Sequence, residues 1–379
     1  MRITDVTCYP VWSGNRNYLV LVVDTDEGIT GLGEAGLSRR ERAVAGAVEH
    51  LRPLLIGEDP ARIEHLWQRM SRGGFFPHDR VFGSAIGAID IALWDLKAKA
   101  HGVPLYDLLG GRVRDRVVCY CHIGAADVDG LVAVARQRVA EGWKYVRWSL
   151  PSEGEILEPA PAIRRAVDEF EALRAALGDE VGLCFDVHTR LSPPDAIRLC
   201  RQVAPYHPFF IEDPIRSESP QAFHLLRGKI DVPLAAGEQF ASKWEFRELI
   251  DHDLIDYARV DLCIAGGLTE GRKIAGWCEA HYIDMAVHNP LGPVSTAACL
   301  HLNLAVPNFA VQEQPRHPGP GVLADEIVGH QPIWEDGSLR ANDRPGLGLT
   351  FDREAAAASP ARMGDPPRLR RLDGSFTNW

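Results

Sequence analysis

Six apolar runs of the sequence end on ionisable residues that recur at a nearly constant spacing. The residues are Asp186, Glu212, Glu238, Asp261, His288 and Glu313, and the steps between them are 26, 26, 23, 27 and 25 residues. A period of about 25 residues is one strand followed by one helix, so successive parallel strands would carry these side chains to one mouth of a barrel. Each acid alone could be a helix N-cap or a turn residue, but chance caps have no reason to keep a period.

The chain between residues 116 and 325 alternates short apolar runs with helix-patterned stretches. Eight runs are typical of strands: VVCYCHIG, YVRWSL, VGLCFDVH, FFIEDP, PLAAGEQ, YARVDLC, DMAVHN and FAVQEQ. The alternation predicts an α/β fold with a parallel sheet, and eight strands favour a closed (β/α)8 barrel. An open doubly wound sheet is the alternative, although the G-x-G-x-x-G motif expected after its first strand is absent.

Residues 1–115 have a different pattern, which predicts a separate α+β unit. The stretch YLVLVVDTDEGITGLGEA and the residues before it alternate with the strand period and predict a three-stranded antiparallel meander. Helical periodicity follows over 40–55 and 61–70, then a loop over 73–83, and a helix that ends at Gly102. The Pro- and Gly-rich segment 326–379 is expected to run back along this N-terminal unit.

The net charge of the chain narrows the possible functions. With 41 Lys and Arg against 52 Asp and Glu, the formal charge is -11, so we expect no nucleic-acid partner and no membrane partner, both of which need a basic face. The start MRITDVTCYPVW lacks the basic and apolar regions of a secretory signal, which predicts a cytoplasmic protein. The eight Cys are too sparse for a disulfide framework and are expected to be reduced.

Three of the periodic residues, Asp186, Glu212 and Glu238, are carboxylates from neighbouring strands. They would repel one another strongly unless a cation neutralised them. Ligation by oxygen alone points to Mg2+, with Mn2+ as a possible substitute, and leaves coordination positions for water and substrate oxygens. Such an ion polarises a bound carboxylate, so that a proton alpha to it can be removed to give an enediolate.

The remaining periodic residues supply acid–base groups. His288 is the candidate base, and Asp261, one strand earlier, would hold its imidazole, while Glu313 would hydrogen-bond near the substrate carboxylate. His188 lies two residues after Asp186, so strand alternation would turn it toward the same mouth. A protonated His188 there could donate a proton to a departing beta-hydroxyl, which makes β-elimination of water the expected reaction.

The chain resembles the mandelate racemase group of the enolase superfamily, and within it the sugar-acid dehydratases. The resemblance is carried by VDTDEGITGLGEA, GAIDIALWDLKAKAHGVPLYDLLGG, CFDVHTRLSPPDA, FFIEDP, DLCIAGGLTE and HNPLGPVSTAACLHL. It implies a modified TIM barrel of (β/α)7β type beneath an N-terminal α+β capping domain that the C-terminal segment completes. It also implies one catalytic Mg2+ per active site at Asp186, Glu212 and Glu238, and a His288/Asp261 dyad.

The second barrel strand distinguishes the activities of this group. Racemases and cycloisomerases carry a K-x-K motif there whose lysine is a second base, whereas YVRWSL has Arg147 and Ser149 instead. The D-x-H of Asp186 and His188 resembles D-galactonate and D-mannonate dehydratases, in which the His is the general acid. The implied activity is that of a hydro-lyase that forms a 2-keto-3-deoxy sugar acid. A racemase or epimerase of a hydroxy acid and a homologue with a vestigial site are the alternatives.

The substrate is expected to be a small sugar acid of D-galactonate type. HNPLGPVSTAACLHL and IAGGLTE favour that substrate, whereas DVHTRLSPPDA, RHPGP and the terminal NW favour D-mannonate, and D-gluconate is a further alternative. Specificity in this group depends on two capping loops, here 10–17 and 73–83. The predicted substrate-binding residues are Arg16, His78, Arg80 and Trp12 from the capping loops and Arg147 from the barrel. Members of the group form dimers to octamers, so a homo-oligomer is expected.

Overall fold

The N-terminal unit is built on a three-stranded antiparallel sheet. In the computed structural model, which describes residues 1–314, 326–364 and 368–378, the strands are β1 (Ile3–Trp12), β2 (Asn17–Thr25) and β3 (Thr30–Ala35), paired in that order. The predicted meander is therefore confirmed. Four helices follow: α1 (Glu41–Leu51), α2 (Ile63–Arg72), α3 (Arg80–His101) and α4 (Leu105–Leu108).

Helix α3 packs directly on strand β3 because that strand presents glycines to it. A Cβ added at Gly31 or Gly33 would overlap a backbone carbonyl of α3, so GLG allows an approach that side chains would block. The helix begins at Arg80, four residues earlier than the loop over 73–83 predicts, because the Asp79 side chain accepts hydrogen bonds from the backbone N–H groups of Val81 and Phe82. It ends at Gly102, as expected, with a φ of 68°.

Eight parallel strands and seven intervening helices form the second unit, and the modified TIM barrel is confirmed. The strands are β4 (Val117–His122), β5 (Tyr145–Ser149), β6 (Gly182–Asp186), β7 (Phe210–Glu212), β8 (Leu234–Ala236), β9 (Tyr257–Ala258), β10 (Asp284–Met285) and β11 (Gln312–Glu313). The helices are α5 (Val128–Ala140), α6 (Pro159–Leu177), α7 (Pro193–Val203), α8 (Phe223–Arg227), α9 (Lys243–Asp251), α10 (Gly267–Ala280) and α11 (Pro293–Ala305). Each strand pairs with the next along the chain from β4 to β10.

The barrel closes where β11 pairs in parallel with β4 and where Met285 of β10 bridges to Phe309. Closure makes β6 and β10 diametrically opposite, since they are four strands apart in a ring of eight. Beyond β9 and β10 the backbone continues with ladder-type bonds, such as that from the His288 N–H to the Val260 carbonyl (3.1 Å). Residues shortly after the formal strand ends therefore still face the mouth.

The described C-terminal residues contact both units. They form β12 (Val328–Gly329), β13 (Ile333–Glu335), β14 (Ser338–Arg340), β15 (Thr350–Phe351), α12 (Arg353–Ala358), β16 (Leu369–Arg370) and β17 (Phe376–Asn378). Strand β14 pairs with β4 of the barrel, whereas the Trp12 N–H donates to the Ser359 carbonyl (2.9 Å) in the N-terminal unit. The RHPGP segment and the terminal Trp379, two of the features that favour D-mannonate, lie outside the described residues. Within the described ranges, the helices are too short or too polar to cross a bilayer.

Candidate active site at the carboxyl ends of the barrel strands

Asp186, Glu212 and Glu238 meet at the mouth of the barrel. Asp186 and Glu212 end β6 and β7 and are register partners, and Glu238 follows β8 by two residues. One carboxylate oxygen from each lies within 4.8 Å of the others. The side chains of Asp186 and Glu212 are fully buried, and that of Glu238 is 14% exposed. The constant period therefore does bring these three carboxylates together.

The three carboxylates fit a small hard cation. Among the described residues, the buried Glu212 Oε2 has no hydrogen-bond partner, and a buried acceptor of this kind is costly unless something charged or polar meets it. Burial, together with the neighbouring Glu212 carboxylate, raises the pKa of Glu238. A divalent ion would give Glu212 Oε2 a partner and would offset the repulsion that raises the pKa of Glu238. A set of carboxylates suits Mg2+ better than zinc.

Arg147 on β5 lies among these carboxylates. Its guanidinium forms an ion pair with Asp186, lies 3.9 Å from Glu212 Oε2, and donates to Ser149 Oγ (3.0 Å) and His188 Nε2 (2.9 Å). Because the side chain is 8% exposed, its charge offsets part of the negative charge that the cluster carries. The strand on which a racemase was expected to carry lysine thus carries a permanently charged arginine instead, and a guanidinium has no usable free base form.

His288 and Asp261 form a hydrogen-bonded pair next to this cluster. The distance from His288 Nδ1 to Asp261 Oδ2 is 2.8 Å, and His288 Nε2 lies 3.2 Å from Glu238 Oε2. Asp261 is itself held by the Cys263 backbone N–H (2.7 Å). Burial lowers the pKa of His288, but the carboxylates of Glu238, Glu313 and Asp261 outweigh it and raise that pKa to about 9. The imidazole is therefore strongly basic and presents Nε2 to the mouth.

His188 reaches the same mouth by a route that strand alternation does not describe. Strand β6 ends at Asp186, and His188 and Thr189 have φ values of 52° and 58° in the left-handed region. The side chain nonetheless lies with Nε2 2.7 Å from Asp186 Oδ2. Burial and the nearby Arg147 hold the pKa of His188 well below its usual value. In this arrangement the imidazole is neutral and accepts a hydrogen bond from Arg147 at Nε2.

Arg259 is a central residue that the sequence analysis missed. It is fully buried inside the barrel, where its guanidinium contacts Glu212 Oε1 (2.6 Å), Glu313 Oε2 (2.7 Å) and the Tyr120 hydroxyl (2.7 Å). Although burial lowers its pKa, Glu212 and its other partners raise that pKa well above the usual value. A signal for Arg259 existed: an arginine within the apolar run YARVDLC, two residues before Asp261, points to the same side as Asp261.

Both carboxylate oxygens of Glu313 are engaged. Oε1 lies 2.8 Å from His122 Nε2, a second residue that was not singled out, and Oε2 accepts from Arg259 and from the Asn289 backbone N–H (2.8 Å). Burial raises the pKa of Glu313, but Arg259, His288 and His122 more than compensate and hold it well below its usual range. Glu313 is therefore an ionised group that orients its neighbours.

The capping-loop residues differ in their positions. Arg16 donates to the Pro290 carbonyl, two residues after His288, and so reaches the rim of the mouth. His78 uses Nδ1 with Ser71 Oγ (2.8 Å) and Nε2 with the Ala241 carbonyl (3.2 Å).

The other two predicted loop residues also have protein partners. Arg80 donates to the Gln239 carbonyl (2.7 Å) and to Glu245 (3.1 Å), and the Trp12 ring lies under the Arg362 guanidinium, 5.0 Å away. The polar atoms of His78 and Arg80 thus hold their loop on the barrel, and their contacts give no support to substrate binding.

Comparison with known proteins gives similarity over the whole chain. The family model described as enolase C-terminal domain-like matches residues 130–356, and that of the mandelate racemase/muconate lactonizing enzyme N-terminal domain matches residues 11–110. The chain is 38% identical to a D-mannonate dehydratase of Caulobacter sp. (strain K31) and 38% identical to a D-galactonate dehydratase of Xanthomonas axonopodis pv. citri (strain 306), with 100% of both chains covered in each case. The crystal structure of an enolase from Pantoea ananatis with bound D-gluconate and Mg superposes with a TM-score of 0.95 at 33% identity, covering 100% of this chain and 99% of that one.

Proposed function

Since the chain belongs to the mandelate racemase/muconate lactonizing enzyme family of the enolase superfamily, we propose that it is a Mg2+-dependent hydro-lyase that dehydrates a sugar acid. The reaction removes the proton alpha to the carboxylate and expels the beta-hydroxyl as water. The enol that remains tautomerises to a 2-keto-3-deoxy sugar acid. The observation that carries the proposal is that His288 and His188 lie on opposite walls of the mouth, on either side of three carboxylates.

His288 is proposed as the base. Its Nε2 is directed to the mouth, and Asp261 holds the imidazole through Nδ1 (2.8 Å), so Nε2 is the nitrogen that carries the free lone pair once the imidazole is neutral. A cation beside Glu238 would favour that neutral form, because the Glu238 carboxylate is the main group that raises the pKa of His288. A base fixed in this way takes the alpha proton without first having to reorient. Asp261 also stabilises the imidazolium that results.

His188 is proposed as the acid that protonates the departing hydroxyl. Its imidazole extends from the wall opposite His288, so a substrate between them would meet a base on one face and an acid on the other. To act as the acid, His188 must first take up a solvent proton at Nε2, so Arg147, which donates to that atom (2.9 Å), has to withdraw before the beta-hydroxyl arrives. Arg147 is then free to bind a substrate oxygen, the role proposed for it, while Glu313 stays ionised and fixes His122 and Arg259.

Asp186, Glu212 and Glu238 are the residues that would hold Mg2+, or Mn2+ in its place. When bound, this ion would offset two of the three carboxylate charges and stabilise the negative charge that develops on the substrate carboxylate. Arg147, whose guanidinium pairs with Asp186, would have to move to leave room for the ion.

The proposed substrate is an aldonic acid of D-galactonate type. The full-length relatives named D-galactonate dehydratase and D-mannonate dehydratase support an aldonic acid, and D-mannonate and D-gluconate are the alternatives to be compared with it. Arg16, at the rim of the mouth, is the capping-loop residue best placed to contact the distal hydroxyls. We further propose a homo-oligomer, which light scattering of the purified protein would detect.

A library of aldonic and aldaric acids tests the proposed function. We expect Mg2+-dependent release of a 2-keto acid, detected as its semicarbazone, with D-galactonate the best substrate and the His288→Asn variant inactive. If the reaction is run in heavy water and the product keeps all the oxygens of the substrate but has inverted stereochemistry, the protein is instead a racemase or an epimerase. Equal inertness of the wild type and His288→Asn across the library would contradict catalysis altogether.

A further inference from the structure

A second group of metal-type side chains lies on the outside of the barrel, away from the mouth. It consists of His224 on α8 and of Glu248 and His252 on and just after α9. Glu248 and His252 are four residues apart, which places them one turn apart on one face of the helix. His224 comes from the helix of the preceding βα unit. We call these three residues the outer histidine cluster.

The spacing of the outer histidine cluster matches that of a zinc ligand set. His224 Nε2 lies 2.9 Å from Glu248 Oε1, His252 Nε2 lies 3.8 Å from the same oxygen, and the three ligand atoms all lie within 4.8 Å of one another. Tetrahedral zinc with bonds of about 2.0–2.1 Å sets its ligand atoms about 3.3–3.4 Å apart. The two measured distances lie on either side of that value, each within about 0.5 Å of it.

An ordinary surface hydrogen bond accounts for only part of this arrangement. The contact between His224 and Glu248 is a common imidazole–carboxylate pair. His252 is too far from Glu248 to hydrogen-bond at 3.8 Å, yet its ring lies 5.0 Å from that of His224 in an edge-on arrangement. A single hydrogen bond does not require two imidazoles and a carboxylate to converge from two helices. A bound cation does require this, because it needs several ligands at once.

We propose that the outer histidine cluster binds one Zn2+ per chain and so clamps α8 to α9. Two imidazoles and one carboxylate make a known zinc set and suit Ni2+ and Cu2+ as competitors, whereas Mg2+ prefers oxygen ligands. The side chains are 47%, 26% and 53% exposed for His224, Glu248 and His252, so the ion can enter and water can supply a fourth ligand. The site is chemically distinct from the all-carboxylate group at the mouth.

Zinc titration of the untagged, EDTA-stripped protein tests the proposal. With millimolar Mg2+ present throughout, so that the mouth is occupied, we expect calorimetry to detect one Zn2+ per chain and zinc to raise the melting temperature. His224→Ala and His252→Ala should each weaken zinc binding at least tenfold and abolish the rise in melting temperature. His281→Ala is the matched control, since His281 also pairs with a surface carboxylate, Asp253 (2.9 Å), and it should bind zinc as the wild type does.

A second readout identifies the ligands. Cu2+ bound to the wild type should give an electron paramagnetic resonance spectrum with two nitrogen ligands, and the variants at positions 224 and 252 should lose one each. Zinc affinity unchanged in both variants would overturn the proposal. So would zinc binding that disappears in Glu238→Gln and persists in His224→Ala, because the ion would then occupy the mouth of the barrel.

Discussion

Replacing Arg259 with Met should destabilise the protein through the two carboxylates that Arg259 joins inside the barrel. The guanidinium is fully buried and lies 2.6 Å from Glu212 and 2.7 Å from Glu313. Methionine fills much of the same space without charge, so the change removes the cation and leaves the apolar packing largely intact. The two acids would then be buried with less compensation.

The size of the effect follows from the burial of these acids. Removal of one partner from a buried ion pair costs about 3–5 kcal/mol. The carboxylate can escape this cost by taking up a proton, but protonating a group with an ordinary pKa of 4.5 at pH 7 itself costs about 3.4 kcal/mol. Leaving the carboxylate charged and protonating it therefore cost a similar free energy. For 379 residues, an unfolding entropy of about 0.8 kcal/mol per kelvin converts 3–5 kcal/mol into a fall of about 4–6 °C in melting temperature.

Thermal unfolding followed by circular dichroism measures this fall. Arg247→Met is the control, because Arg247 is 66% exposed and its ion pair with Asp251 should contribute less than about 1 kcal/mol. Adding Glu313→Gln to Arg259→Met should recover part of the lost stability, since one unpaired charge is removed. If Arg259→Met melts like the wild type, or if the double variant loses the sum of the two single effects, the carboxylates do not depend on Arg259.

Four further substitutions test the site and the packing above it. Asp186→Ala should abolish Mg2+-dependent dehydration in the semicarbazide assay, and full wild-type activity in EDTA would contradict the proposed ion. His188→Asn should stop dehydration while NMR in heavy water still detects exchange of the alpha proton; if exchange also stops, His188 is more than the acid. Asp261→Asn should lower kcat about 10^2- to 10^4-fold with little change in KM, since it acts through the base, and steady-state kinetics separates the two. Gly33→Ala should lower the melting temperature because its Cβ would overlap a carbonyl of α3, whereas Gly46→Ala, with open space around it, should be neutral or slightly stabilising.

The barrel and most of the residues at its mouth could be predicted from the sequence alone. Each strand of a parallel barrel is a short apolar run, and the chain must return through a helix before the next strand begins. Residues that recur once per strand–helix unit in the sequence therefore lie at the same level on neighbouring strands. This regularity placed Asp186, Glu212 and Glu238 at one level without any knowledge of packing. It also placed His288 and Asp261 on neighbouring strands, where they form their hydrogen bond.

Contacts between distant segments were decided by the tertiary structure. Arg259 meets Glu212 across 47 residues and Glu313 across 54, and closure of the barrel fixes which of several nearby charges it contacts. The same holds for the outer histidine cluster, which depends on the side-by-side packing of α8 and α9.

His188 shows where a local rule stops. Strand alternation assumes extended backbone, and the chain leaves that conformation after Asp186 for the left-handed region, so only the tertiary structure shows how the imidazole returns to Asp186. His78 and Arg80 show the same limit. Their loop positions in the sequence give no sign that both side chains hydrogen-bond to backbone carbonyls of the barrel. The sequence thus determined which groups line the mouth, since covalent connectivity sets the order of the strands. The tertiary structure decided which of these groups contact one another, because a hydrogen bond or an ion pair forms only where packing brings two side chains within reach.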